Sequence, residues 1–112
     1  MSSWEVPAGT FDGDEDPLAC ARRELAEETG LIAARYTSLG MVHGAAFLTG
    51  HAHLFLAEEL TTSTRAPETY EQDMEVLRLR FVDAWHAALD GDIVHSGSVT
   101  ALCRAARALG LL

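Results

Sequence analysis

The 112-residue chain predicts an α+β fold, in which helices pack on a small mixed sheet within a single domain spanning residues 1–112. Two observations lead to this fold class. One stretch carries both the start and the stop signals of a helix, and others have the β-branched, aromatic and apolar content of strands. We find no internal repeat and no low-complexity linker that would divide the chain.

The most strongly marked element is a helix over residues 17–29. Asp16 is a natural N-cap, Pro17 suits the first helical position, and Gly30 suits the left-handed residue that ends a helix. A short strand over residues 4–6 is expected before it. A loop rich in glycine and aspartate connects the two elements.

The remaining elements follow from the spacing of apolar residues. Strand-like stretches are expected to form the sheet, and Asp83 is expected to cap the first of two later helices. The strands are predicted over residues 32–39, 52–58 and 74–82, the helices over 84–89 and 98–109, and a polar loop over 61–70. Trp85 is expected to belong to the core.

The amino-acid composition argues against some classes of binding partner. The net charge of −9 argues against binding a nucleic acid polymer, although a divalent metal could still join carboxylates to the phosphates of a small substrate. No segment approaches the roughly 18 apolar residues of a membrane span, and the first residues do not read as a signal peptide. We therefore expect a cytoplasmic protein without membrane contact. Its two cysteines, Cys20 and Cys103, are expected to be reduced structural thiols.

Three carboxylates form a stripe on the predicted helix. Glu24, Glu27 and Glu28 recur at i, i+3 and i+4, beside an apolar stripe of Leu18, Ala21 and Leu25 that is expected to face the core. Their mutual repulsion lowers stability unless a cation joins them, and oxygen ligands suit Mg²⁺ or Mn²⁺. Taken alone, such a triplet is more often an ordinary solvated helix face.

A longer pattern surrounds the stripe. Gly9 is followed by five residues, Glu15 and seven residues, and then by the run Arg23-Glu24-Leu25-Ala26-Glu27-Glu28-Thr29-Gly30-Leu31. From Gly9 to Leu31 this sequence resembles the Nudix box at every specified position. The resemblance implies a Nudix-type α/β/α sandwich. It also implies Mg²⁺-dependent hydrolysis of a nucleoside diphosphate linked to another moiety.

The same resemblance implies roles for individual residues. Glu24 and Glu28 are the strongest expected metal ligands, and the carbonyl of Ala8 is a further one. Glu27 is expected to act as a ligand or as a catalytic base. Arg23 is expected to pair with Glu15 or with a helix carboxylate and so to hold the ligands in place.

The flanks of the box, residues 4–9 and 16–25, resemble those of ADP-ribose pyrophosphatases and related nucleoside diphosphate sugar hydrolases. This implies that ADP-ribose and water give AMP and ribose 5-phosphate. In that family a glutamate on the loop before residues 74–76 is a candidate base, and we assign it to Glu71. Trp4 and Glu5 are candidate substrate contacts, and Trp4 could instead pack beneath the sheet.

Other interpretations stay open. The resemblance implies strands before this point, so the fold is expected to be N-terminally shortened. Three explanations stay open, a truncated sequence, a compact variant and a sheet completed in a homodimer, and we favour the homodimer. There are two alternative functions. The chain could be a catalytically weak or silent Nudix-like binding module, or it could be a nucleoside triphosphate pyrophosphohydrolase. His43, His51 and His53 are not expected to bind a metal, because alternation along one strand places His51 and His53 on a shared face without the third.

Overall fold

The computed structural model describes residues 6–8, 14–43, 51–63 and 78–112. The elements within these ranges are α1 (Pro17–Thr29), β1 (Leu31–His43), β2 (His51–Thr62), α2 (Phe81–Leu89) and α3 (Ser96–Ala108). Helices and strands together confirm the α+β class. Among the described helices, none is both long and apolar enough to cross a membrane.

The described residues fall into two compact units. The α1 unit contains residues 7–8, 14–37, 57–63 and 78, and the α2–α3 unit contains residues 6, 38–43, 51–56 and 79–112. Each unit is described by itself below. That residues 1–112 form a single domain stays a prediction.

Helix α1 has the bounds and caps that the sequence predicts. The Asp16 side chain accepts a hydrogen bond of 3.1 Å from the Ala19 amide, and Pro17 occupies the first position. Gly30 adopts a left-handed φ of 72° and donates its amide to the Ala26 carbonyl. The buried residue of the helix is Cys20, whereas the predicted core stripe of Leu18, Ala21 and Leu25 is only half-buried.

Strands β1 and β2 form a two-stranded sheet. The Ser63 amide donates to the Gly30 carbonyl at 2.7 Å, and the rings of His43 and His51 lie 6.1 Å apart, so the start of one strand meets the end of the other. The pair is therefore antiparallel. Both strands are longer than predicted, and residues 61–62 belong to β2 and not to the predicted loop. Hydrogen bonding between the two strands outweighs the weak preference of these residues for a strand.

The predicted strand over residues 74–82 is wrong at its C-terminal end. Phe81 and Val82 lie in α2, while residues 74–77 fall outside the described residues. Phe81 packs against the core between α2 and α3, and this burial favours the helix over the alternating pattern. Asp83 is not the N-cap, a position that Arg80 takes; Asp83 instead accepts a hydrogen bond of 3.0 Å from Arg80 within the first turn.

Helix α3 begins before the predicted residue 98 because a histidine caps it. The ring nitrogen Nδ1 of His95 accepts a hydrogen bond of 3.2 Å from the Ser98 amide. The fully buried Ser98 hydroxyl contacts the same nitrogen and accepts from the Val6 amide at 3.0 Å. The predicted strand over residues 4–6 is wrong at Val6, which is not in a strand, while residues 4–5 fall outside the described residues. The core of this unit comprises Ala87, Ala88, Ile93 and Leu102, packed against Val6, Phe81, Ala84 and Val99.

Gly40 and Gly110 have similar backbone conformations but different surroundings, so comparing them measures the cost of a steric contact at Gly40. Both have a positive φ, 84° and 80°, but only a Cβ at Gly40 would meet another group, Nη1 of Arg104 at 3.1 Å. That nitrogen donates to the carbonyls of Leu39 and Met41. We expect each alanine substitution to lower the free energy of unfolding by about 1 kcal/mol through backbone strain, with a further loss at Gly40. Denaturant unfolding tests this, and equal losses would mean that Arg104 moves without penalty.

Candidate active site

Arg23 organises the acidic face of α1. Its Nε and Nη2 atoms donate to the two carboxylate oxygens of Glu15, at 3.0 and 2.8 Å. Its Nη1 atom donates to Glu24 at 2.8 Å and to Glu27 at 3.1 Å. These bonds, those to Glu15 above all, raise the pKa of Arg23 above its ordinary high value. Arg23 thus makes both kinds of contact expected of it, to the loop and to the helix.

Glu28 fixes the segment that precedes the helix. One of its carboxylate oxygens accepts a hydrogen bond of 2.9 Å from the backbone amide of Ala8. Ala8 and Glu28 are far apart in sequence, and this bond brings the Ala8 backbone beside the carboxylates of α1. Both residues belong to the α1 unit.

The cluster carries an excess of negative charge. Among the described residues, the Arg23 guanidinium contacts three carboxylates, those of Glu15, Glu24 and Glu27, and Glu28 adds a further carboxylate to the same helix. The Glu15, Glu24 and Glu27 side chains are only 15, 16 and 29% exposed, so water screens their charges incompletely. Glu27 and Glu28 lie in the last turn of α1, where no basic residue offsets the negative end of the helix dipole. A bound cation would relieve both sources of repulsion.

The donor set fits a hard divalent cation. Magnesium takes oxygen ligands and is usually held by one or two carboxylates, with waters and substrate phosphates completing its shell. Within the described ranges, no three His, Cys, Asp or Glu side chains form a group that could hold a metal by themselves. A magnesium site that depends on water and substrate does not need such a group, so the carboxylates of α1 remain suitable.

Three of the predicted site residues fall on parts of the chain that the structure does not describe. Trp4, Glu5 and Glu71 lie outside the described residues. Trp85 is half-buried, its buried indole nitrogen has no hydrogen-bond partner in the described part of the chain, and its place in the core stays a prediction. Both carboxylate oxygens of Glu15 accept hydrogen bonds from Arg23. The sequence indicated this contact only through the position of Glu15 in the Nudix box.

The two cysteines are free thiols in different environments. Burial raises the pKa of Cys20, and the neighbouring Glu15 carboxylate raises it further, whereas Cys103 is only half-buried. Because the thiolate is the reactive form, we expect iodoacetamide to modify Cys103 well before Cys20 in the folded protein. Peptide mapping by mass spectrometry gives the order, and earlier labelling of Cys20 would contradict a buried, protonated thiol.

Comparison with protein families gives a match over most of the chain. The model of the NUDIX domain matches residues 1–102. An ADP-ribose pyrophosphatase from Bacillus subtilis is 37% identical over 82 residues, which cover 71% of this chain and 44% of the relative. A GDP-mannose pyrophosphatase from Klebsiella pneumoniae is 32% identical over 111 residues, covering 96% of this chain and 55% of the relative. The chain thus spans about half the length of these relatives.

Comparison with solved structures supports the fold. A crystal structure described as an ADP compounds hydrolase superposes with a TM-score of 0.73 at 22% identity, and the match covers 91% of this chain and 57% of that one. At this identity the likeness establishes the α+β fold that the two proteins share.

Proposed function

The chain belongs to the NUDIX domain family, and from this premise we propose that it hydrolyses the pyrophosphate bond of a nucleoside diphosphate linked to another moiety, with Mg²⁺ or Mn²⁺ as cofactor. The observation that carries the proposal is the group of carboxylates on α1 that Arg23 organises. Carboxylates grouped in this way can bind a cation, and the cation can in turn bind an anionic substrate. As a solvated helix face it would only lower stability.

In the proposed site, the metal ligands are drawn from Glu24, Glu28 and Glu27 and from the backbone carbonyl of Ala8, and water and substrate phosphates complete the shell. These groups would hold a cation whose chemistry, when it is bound, would be to offset charge on the phosphate oxygens and to make the attacking water more acidic. Arg23 keeps the carboxylates of Glu24 and Glu27 in fixed positions, so little reorganisation is needed when substrate arrives.

Proton transfer is assigned to carboxylates. Glu27 is proposed to serve as a ligand or as the base that accepts a proton from water, with Glu71 as the other candidate base. Trp4 and Glu5 are proposed to contact the substrate. This scheme requires no covalent enzyme intermediate.

ADP-ribose is the substrate we propose, giving AMP and ribose 5-phosphate. The flanks of the box and the name of the Bacillus subtilis relative support it. The name of the Klebsiella relative keeps nucleotide sugars such as GDP-mannose within the proposed substrate class. We also propose that the chain acts as a homodimer in the cytoplasm, which sedimentation and cell fractionation would test.

Product analysis tests the proposed function directly. The purified chain is incubated with ADP-ribose, nucleotide sugars or nucleoside triphosphates, with Mg²⁺ or with a chelator. We expect AMP from ADP-ribose and no product with the chelator. Release of pyrophosphate from triphosphates alone would favour the triphosphate pyrophosphohydrolase. No turnover by a folded sample would favour a silent binding module.

A further inference from the structure

Three histidine rings follow one another in the α2–α3 unit, where β1 ends and β2 begins. The ring centres of His51 and His53 are 5.4 Å apart, and those of His43 and His51 are 6.1 Å apart. The sequence predicts that His51 and His53 share a face of the strand without the third. The structure corrects the last part, because antiparallel pairing brings His43 of β1 next to His51.

These side chains offer a different kind of ligand from the carboxylates of α1. Imidazole nitrogens favour Zn²⁺, Ni²⁺ and Cu²⁺, whereas carboxylate oxygens favour Mg²⁺ and Mn²⁺. His43 and His51 are exposed and His53 is half-buried, so an ion can reach them from solvent. None of the three takes part in the proposed hydrolytic site.

The spacing of His51 and His53 suits a shared metal ion. Two imidazoles bound to one tetrahedral zinc ion, at Zn–N distances of about 2.0–2.1 Å, place their ring centres about 5 Å apart. The ring centres of His51 and His53 are already separated by nearly that distance, 5.4 Å. Side chains two residues apart on a strand point to the same face, so the backbone favours this approach.

We propose that His51 and His53 form a chelating pair for a divalent transition-metal ion such as Zn²⁺, with water completing the coordination shell. In the side-chain conformations of the described residues, no three possible ligands form a metal-holding group. Among the described residues, the site we propose has His51 and His53 as its two ligands, and His43 is a neighbour that does not bind the ion. The proposal does not depend on the proposed hydrolytic function.

Zinc titration of the metal-stripped protein tests the pair. Calorimetry in excess Mg²⁺ measures the stoichiometry, and NMR of the histidine rings identifies the ligands. We expect one Zn²⁺ to bind per chain and to shift the ring signals of His51 and His53. The double variant H51Q/H53Q is expected to lose this binding, while His86→Gln, which removes an exposed histidine on α2, is expected to keep it.

Other outcomes would overturn the proposal. Absence of zinc binding in the wild type would do so, as would unchanged binding in H51Q/H53Q. Binding that disappears in Glu28→Gln but survives in H51Q/H53Q would place the zinc on the carboxylates. Melting curves establish that each variant is folded. If the double variant is not, His51→Gln alone, a change of an exposed side chain, provides the same test.

Discussion

Replacing Glu28 with glutamine is expected to lower Mg²⁺-dependent hydrolysis of ADP-ribose by about 10³-fold or more, equivalent to about 4 kcal/mol of transition-state stabilisation. Glutamine has nearly the same shape, and its carbonyl oxygen can still accept the hydrogen bond from the Ala8 amide that Glu28 accepts at 2.9 Å. The fold should therefore persist. Its stability should be unchanged or slightly higher, because one negative charge is removed from the acidic last turn of α1.

Steady-state assays with and without a chelator, together with melting curves with and without Mg²⁺, measure these effects. The matched control is Glu58→Gln on β2, whose carboxylate pairs with Arg35 at 3.2 Å and is outside the cluster. We expect the control to retain activity and Glu28→Gln to lose stabilisation by Mg²⁺. Full activity in Glu28→Gln would remove Glu28 from the ligand set.

Replacing Arg23 with alanine is expected to lower activity by about 10²-fold, because the carboxylates lose the group that orients them. Arg23 contacts Glu15, Glu24 and Glu27 within 3.1 Å, and no other basic side chain is seen in this cluster among the described residues. The variant should melt at a lower temperature. Added Mg²⁺ should stabilise it more than the wild type, because the cation then replaces the counter-charge that Arg23 supplied.

Two further variants separate orientation from charge. Arg23→Lys keeps the charge but cannot contact both oxygens of Glu15 as a planar fork does, so we expect intermediate activity. Arg22→Ala removes the adjacent arginine, which lies over the Tyr36 ring at 5.4 Å, and should have little effect on activity. Equal losses in the Arg22 and Arg23 variants, or an unchanged response to Mg²⁺, would contradict the positioning role of Arg23.

Local signals were enough to predict α1 and the residues of its acidic face. Asp16, Pro17 and Gly30 act on their immediate neighbours, so the helix bounds could be obtained from the sequence. The spacing of the three glutamates fixes their placement along one side of the helix. The box pattern likewise identified the family, which the match over residues 1–102 confirms.

Tertiary contacts decided the elements whose local signals were ambiguous. The alternating residues up to 82 predicted a strand, yet Phe81 is held in α2 by packing against α3. Similarly, the His95 cap of α3 depends on a buried serine that also binds the distant Val6 amide.

The sequence by itself determined the family, the bounds of α1 and the spacing of its glutamates, because these depend on short-range pattern. Only the tertiary structure decided which groups those side chains contact. It placed both oxygens of Glu15 on Arg23 and the Ala8 amide on Glu28, and it brought His43 to His51. These contacts join residues that are separate along the chain, so their geometry depends on how the backbone folds back on itself.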